Sequence, residues 1–209
     1  MQSGFFIAKK INCTKMETLL QAVREQGIVQ WLAFFTGVGY VALAARQNIW
    51  CWLCGGISVG LYFFVFCEIK LFSDAALQIF YLVMSVYGWW KWNEQKQSAA
   101  AKITVWSSRQ MLTAIAIGFL ASVPLGIFWS SMGGALPYAD AVLTAFSIIA
   151  TWMATQKILQ NWLFWVAVDF CYILLYLNRQ VELTAILSAI YLLMSLVGWR
   201  AWRKETLQN

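Results

Sequence analysis

Five side chains between residues 162 and 176 are spaced so that one helical face would carry two indoles, a carboxylate and two phenols. They are Trp162, Trp165, Asp169, Tyr172 and Tyr176, separated by 3, 4, 3 and 4 residues. This spacing places side chains on one face of an α-helix. Aromatic faces attract organic cations, and a carboxylate would balance the positive charge. The pattern therefore predicts a slot for a flat organic cation.

The carboxylate of Asp169 lies near the middle of an apolar run that is long enough to cross a bilayer. An acidic residue at the centre of a spanning helix costs about 2.5–3.5 kcal/mol on insertion scales, so we expect it to face a cavity or a polar partner. The alternative is a structural hydrogen bond to a neighbouring helix, and the residue type alone leaves both open.

Polar residues recur at helical spacing in three further apolar runs. The three stripes are Asp140, Thr144, Ser147, Thr151 and Thr155; Thr184, Ser188, Tyr191 and Ser195; and Asp74, Gln78, Tyr81 and Ser85. Small hydroxyl residues also serve as contacts between membrane helices, but three stripes together with the acidic face favour a shared polar interior. The predicted substrate-binding residues are Trp162, Trp165, Asp169, Tyr172, Thr151, Ser147, Gln78 and Tyr81.

The elements that must position these residues are membrane helices. Hydrophobic residues make up 61% of the chain and charged residues 11%, against roughly 25% charged in soluble domains. The apolar residues form blocks near the length of about 20 that a helix needs to cross the bilayer. We therefore predict an all-α membrane protein with seven transmembrane helices. The predicted spans are 28–45, 49–67, 73–92, 111–131, 138–156, 160–177 and 182–201.

The sequence lacks residues and motifs that several classes of protein function require. It has no histidine and neither a phosphate-binding loop nor an H-E-x-x-H motif. Cys51 and Cys54 form a C-x-x-C inside an apolar run without a second ligand pair, which is more typical of small buried hydrophobic residues. We predict no enzyme activity, no metal and no cofactor. The net charge of +6 comes from loops and tails, as in membrane proteins, so no nucleic-acid partner is expected.

Two segments of the chain match without a gap at an offset of 110 residues. FYLVMSVYGWWKW at 80–92 and IYLLMSLVGWRAW at 190–202 share seven of thirteen positions. The match predicts that spans 1–3 repeat as spans 5–7 with the same direction through the membrane, an arrangement known in transporters. Span 4 would then link two three-helix bundles as 3+1+3. Two tryptophan belts of similar composition are the alternative explanation.

The predicted organisation divides the chain into two tails and one transporter domain. Outside the N-terminal tail, nine Lys and Arg residues fall on the side of the C-terminus and two on the other side. This bias places the C-terminus in the cytoplasm and the N-terminus outside. The predicted divisions are a polar tail at 1–27, the domain at 28–203 with repeats at about 28–92 and 138–202 and a linker helix at about 111–131, and a tail at 204–209.

The quoted segments resemble the PnuC family of bacterial vitamin transporters over roughly residues 28–203. The likeness rests on NWLFWVAVDFCYILLY at 161–176, VELTAILSAIYLLMSLVGWRAW at 181–202 and IFYLVMSVYGWWKW at 79–92. It implies a SWEET-like fold in the inner membrane and facilitated diffusion of nicotinamide riboside, which a cytoplasmic kinase traps without a stable complex. It also implies that Trp162, Trp165 and Asp169 belong to the substrate-binding segment.

The resemblance leaves the cargo open between two cationic vitamins. Some members of the family carry thiamine, which is also a flat aromatic cation. A common family pattern has glutamine where this chain has Thr151 followed by Trp152, and glutamine would suit the carboxamide of nicotinamide. Nicotinamide riboside is the first expectation and thiamine the alternative. The expected partners are the vitamin and the lipid bilayer, and the oligomeric state is left open, a homo-oligomer included.

Overall fold

Seven helices make up the computed structural model, which describes residues 27–68, 72–97, 102–133, 136–178 and 182–208. Within these residues no strand is present, and an isolated bridge joins Thr104 to Ile158. The all-α prediction is therefore confirmed, whereas the predicted polar tail lies, apart from Gly27, outside the described residues. The helices are α1 (Ile28–Ala45), α2 (Trp50–Glu68), α3 (Phe72–Gln97), α4 (Ser108–Ser131), α5 (Pro137–Thr155), α6 (Asn161–Asn178) and α7 (Glu182–Thr206).

Six of these helices are long and apolar enough to cross a membrane, with mean hydropathies between 1.2 and 2.1. They are α1, α2, α4, α5, α6 and the Thr184–Thr206 part of α7. Helix α3 is less apolar because it ends in the polar sequence NEQKQ at 93–97. Its place between α2 and α5 nevertheless makes it a wall of the bundle. The chain is thus a multi-pass membrane protein, and α3 and α7 each run five residues beyond the predicted ends at 92 and 201.

The outside of the bundle is apolar, and its inside holds polar side chains among buried apolar and aromatic ones. Large apolar side chains such as Phe64, Val86 and Leu120 are more than 65% exposed, as expected of surfaces that face lipid tails. Several residues of the polar stripes are buried inside, among them Ser147 and Ser188, which are no more than 1% exposed. Small and hydroxyl residues allow membrane helices to approach closely, so the stripes explain why these faces pack together.

Six helices form a closed ring around the polar interior. Among the described residues, α1 packs on α2, α2 on α3, α3 on α5, α5 on α6, α6 on α7 and α7 back on α1. Helix α4 stands outside the ring and contacts α5 alone among the described helices. The ring is therefore built from α1–α3 and α5–α7, which meet at the α3–α5 and α1–α7 contacts.

Local geometry recurs at the sequence offset of 110. Helices α1 and α5 are both followed by a left-handed residue, Gln47 with φ 52° and Lys157 with φ 53°. In each turn the amide of the next residue donates to the carbonyl five residues earlier, at 2.9 and 3.0 Å. These matches agree with the offset found in the sequence. The parallel relation of the two halves about an axis along the membrane normal stays a prediction.

Two glycines at the same offset bring α3 and α7 into close contact with tryptophan rings. A Cβ atom at Gly198 would lie 2.6 Å from the ring of Trp162, and one at Gly88 would overlap the ring of Trp52. Both positions therefore require glycine for space rather than for backbone conformation. The close approach fixes each indole against the neighbouring helix of its own half.

Replacing Gly198 with alanine should lower the stability of the protein. The added methyl group overlaps Trp162, and overpacking costs about 1–3 kcal/mol, more than the ~0.5–1 kcal/mol that alanine gains over glycine in a helix. We expect Tm in detergent to fall by about 2–4 °C for each kcal/mol lost. Gly60→Ala is the control, because no atom lies within 4 Å of its added Cβ. An unchanged or raised Tm for Gly198→Ala would contradict this account.

Candidate functional site

A narrow cavity of about 60 Å³ lies inside the ring of helices. All of its walls come from α1, α3, α5, α6 and α7, so both halves of the chain contribute. The lining residues are Gly37, Tyr40, Val41 and Ala44 on α1; Trp92 on α3; Thr151 and Ala154 on α5; Asn161, Trp162, Trp165, Asp169 and Tyr172 on α6; and Tyr191, Ser195 and Trp202 on α7.

One wall of the cavity is the acidic and aromatic face of α6. Trp162, Asp169 and Tyr172 are buried, and Trp165 is half-buried. The rings of Tyr172 and Tyr176 stack one turn apart, with centroids 5.6 Å apart and an interplanar angle of 10°. Four of the five spaced residues line the cavity, and Tyr176 stacks on one of them, Tyr172.

Asp169 is the only acidic residue of the cavity wall among the described residues, and no lysine or arginine lines it. Its carboxylate is 4% exposed. Ser195 Oγ donates to Asp169 Oδ2 across 3.5 Å, a long hydrogen bond. A buried carboxylate with one weak donor gains little compensation for its lost hydration. The site can therefore gain free energy by binding a positively charged group.

Two polar side chains on the wall have their donors engaged by backbone carbonyls. Thr151 Oγ1 donates to Ser147 O at 2.8 Å, so its oxygen is left to accept. Asn161 Nδ2 donates to Ile158 O at 2.6 Å. Sequence reasoning missed Asn161, although its place directly before the tryptophan pair could have indicated it. Their placement gives the wall polar atoms beside the aromatic rings.

Three of the predicted site residues do not line this cavity. Gln78 and Tyr81 on α3 and Ser147 on α5 are each 1% exposed, and Tyr81 lies beside Ser147. They belong to the contact between α3 and α5 instead. Gln78 Oε1 has no hydrogen-bond partner among the described residues. A direct contact of these three residues with substrate stays a prediction.

Two tryptophans bind backbone carbonyls across the contacts between the two halves. Trp92 Nε1 on α3 donates to Ala154 O on α5 at 3.1 Å. Trp202 Nε1 on α7 donates to Ala44 O on α1 at 3.0 Å. All four residues lie at the C-terminal ends of their helices and line the cavity, so the two hydrogen bonds tie the halves together at one end of it.

Four indoles close that same end of the cavity. Trp52 and Trp92 meet edge to face at 5.5 Å, as do Trp162 and Trp202. Trp92 and Trp202 join the two pairs at 6.2 Å. Edge-to-face packing of this kind adds about 0.5–1.5 kcal/mol per pair beyond burial. The four tryptophans, with the two carbonyl bonds, therefore form a closure that must separate before a solute can pass.

A buried lysine lies behind the closure. Lys157 is 5% exposed, and its Nζ is 4.8 Å from the centroid of the Trp92 ring. Burial lowers the pKa of this ammonium group, and the negative charge of Glu205 opposes the shift. Glu205 also accepts a hydrogen bond from the side chain of Gln47. The closed end is thus supported by a cation on a ring face.

The cavity is too small for a vitamin in this closed arrangement. A volume of about 60 Å³ lies well below the roughly 300–1,000 Å³ of pockets that hold drug-sized ligands. Entry of a larger ligand therefore requires the rings of the wall or whole helices to move apart.

Comparison with known proteins identifies the family. Residues 27–204 match the family described as nicotinamide mononucleotide transporter. The chain belongs to the nicotinamide mononucleotide transporter family. Its fold is also that of a solved member, the vitamin B3 transporter PnuC, with a TM-score of 0.74, 22% identity, and coverage of 92% of this chain and 88% of that one.

Curated relatives of this family differ in the vitamin that their names give. The nicotinamide riboside transporter PnuC of Escherichia coli is 22% identical, over 83% of this chain and 84% of the relative. The riboflavin/roseoflavin transporter RibM of Streptomyces davaonensis is 27% identical, over 79% and 80%. The nicotinamide riboside transporter PnuC of Neisseria mucosa is 26% identical, over 83% and 72%. These relatives are transporters, so they point away from an enzyme.

Replacing Trp202 with phenylalanine should loosen the closed end of the cavity. The change keeps a ring but removes the donor to Ala44 O, and such a bond is worth about 0.5–1.5 kcal/mol. The closed end of the cavity should therefore open about 2- to 10-fold more often. Cys51 is fully buried within the same tryptophan cluster, so its labelling by a maleimide reports opening in a variant whose other four cysteines are serine.

Trp90→Phe provides the matched control, because this ring is 57% exposed and lies on the outside of the bundle. The rate at which the maleimide labels Cys51 in the Trp90→Phe variant should equal the rate in the parent variant, which keeps Cys51 as its single cysteine. A Trp202→Phe rate no higher than that of Trp90→Phe would contradict the role of the carbonyl bond.

Proposed function

We propose that this protein carries a cationic N-heteroaromatic vitamin into the cell across the inner membrane, with nicotinamide riboside as the first candidate. The observation that carries the proposal is the Asp169 carboxylate, which is buried in an aromatic cavity whose wall, as far as the structure describes it, has no lysine or arginine. The indoles of Trp162 and Trp165 would hold the faces of the pyridinium ring. The names of two curated relatives support this cargo.

Charge argues for a cation over a neutral flavin. RibM, the relative named for riboflavin, is similar at 27% identity, and riboflavin carries no positive charge. A neutral ring would leave the buried Asp169 carboxylate without a counter-charge, and burying an unpaired charge is costly. A pyridinium or thiazolium ring would supply that charge. The acidic wall therefore favours cationic cargo.

Thiamine is the second candidate, because its thiazolium ring is also a flat aromatic cation. The hydroxyl hydrogen of Thr151 is bound to Ser147 O, so its oxygen can accept from the amino group of either vitamin. No glutamine stands among the described residues of the wall, but the side-chain amide of Asn161 lies there and can pair with the carboxamide of nicotinamide. A binding titration with both vitamins separates the two cargoes.

We propose the C-terminus on the cytoplasmic side and the N-terminus outside. The excess of basic residues on the C-terminal side supports this orientation. The four-tryptophan closure would then lie at the cytoplasmic end of the cavity. Opening of the Trp92 and Trp202 carbonyl bonds would release the vitamin into the cell, where a kinase traps it by phosphorylation.

Removing the charge of Asp169 should weaken the binding of the cation more than truncating one ring does. Loss of one partner of a buried charge pair costs about 2–5 kcal/mol. Asp169→Asn should therefore lower the affinity for nicotinamide riboside by at least about 30-fold. Trp162→Phe keeps an aromatic face and should lower the same affinity by about 2- to 30-fold. The measurement is a binding titration in detergent.

A neutral ligand provides the control for that titration. The dihydropyridine form of the riboside has nearly the same shape but no ring charge, so its binding should be almost indifferent to Asp169→Asn. Equal losses for the charged and neutral forms would make Asp169 a hydrogen-bonding or packing residue, and the counter-ion role would be wrong.

Transport should be passive, because the sequence has no phosphate-binding loop to couple nucleotide hydrolysis. Uptake of labelled vitamin into proteoliposomes should stop when the internal and external concentrations are equal. A kinase and ATP enclosed in the vesicles should raise the total label retained. Accumulation of free vitamin above the external concentration, driven by a proton or sodium gradient alone, would overturn facilitated diffusion.

A further inference from the structure

An open groove lies on the outside of the ring, between α3 and α4. Helix α4 packs on α5 and on no other described helix, so α3 and α4 leave a space of about 550 Å³ over the surface of α5. Phe80 on α3, Ile117 on α4 and Trp152 on α5 form its apolar walls. Ile117 is 54% exposed and Trp152 43%, so the groove opens towards lipid and is separate from the vitamin cavity.

One end of the groove is basic and aromatic. Arg109 is exposed there, at the start of α4. The rings of Trp106 and Trp152 line the same groove, with centroids 5.9 Å apart. No acidic residue lines the groove among the described residues. Tryptophans are enriched where membrane helices meet the headgroup region, so this end lies at the level of lipid headgroups.

The length of the groove matches one leaflet of the bilayer. Arg109 and Ile117 are eight residues apart on α4, which corresponds to about 12 Å along the helix. Half of the hydrocarbon core measures about 15 Å. A chain that starts at the level of Arg109 and runs along the groove therefore ends near the middle of the membrane.

We propose that this groove binds an anionic phospholipid, with its phosphate on Arg109 and one acyl chain along the apolar walls between α3 and α4. Charge complementarity selects the headgroup, because basic pockets between membrane helices recognise acidic lipids. The acyl chain fills the space that α4 leaves beside α3. The lipid is bound by surfaces that the vitamin does not touch, so the site is independent of the proposed cargo.

The test is native mass spectrometry of the full-length, delipidated protein in detergent. Phosphatidylglycerol and phosphatidylcholine with the same acyl chains are titrated separately. We expect wild type to retain phosphatidylglycerol in preference to phosphatidylcholine. Arg109→Gln should lower the affinity for phosphatidylglycerol about fivefold. Arg203→Gln is the matched control, since this exposed arginine at the end of α7 lies outside the groove; it should leave binding unchanged.

A second variant tests the acyl chain site without altering charge. Thr113 is exposed and lines the groove. A tryptophan in its place should fill the groove, so Thr113→Trp should lower the affinity for both lipids to a similar degree. Equal retention of the two lipids by wild type would mean unspecific lipid at the protein surface and would overturn the proposal. An Arg109→Gln affinity equal to that of Arg203→Gln, or unaltered binding in Thr113→Trp, would overturn it as well.

Discussion

The structure is organised around a carboxylate that is buried inside a membrane bundle. Asp169 is 4% exposed and, among the described residues, accepts one long hydrogen bond, from Ser195. Burial of a charge without good partners is expensive, so the surrounding helices must supply compensation or leave room for a ligand that does. Among the described residues, the wall around it supplies aromatic rings and polar side chains but no lysine or arginine. The carboxylate and the rings together form a site whose missing component is positive charge.

The two halves of the ring share their closure but not this carboxylate. Trp92 and Trp202 bind carbonyls of the opposite half at equivalent positions. At the offset of 110, however, Trp165 and Asp169 correspond to Gly55 and Val59. A Cβ atom at Gly55 would lie 2.9 Å from the ring of Tyr40, so an aromatic ring from α1 occupies the space that a side chain on α2 would need. The bundle therefore has one acidic wall, on α6.

The helices and the acidic and aromatic face of α6 could be predicted from the sequence, because both follow from the spacing of residues along the chain. The tryptophan–carbonyl bonds were not predictable, since Ala44 and Ala154 contribute backbone oxygens and backbone groups leave no sequence pattern. The polar stripes predicted a shared interior but did not tell the residues that line the cavity from those that only join helices. Ser147 and Thr151 are neighbours on α5, yet only Thr151 lines the cavity, because inward-facing hydroxyls serve helix contacts as well as ligand sites.

Charge selectivity is the most direct test of a cation site built around Asp169. The measurement is competition between labelled nicotinamide riboside and two unlabelled vitamins, thiamine and riboflavin, at the wild-type protein in detergent. A site that needs positive charge predicts displacement by cationic thiamine at far lower concentration than by neutral riboflavin. Displacement by riboflavin at a concentration equal to or below that of thiamine would contradict the account.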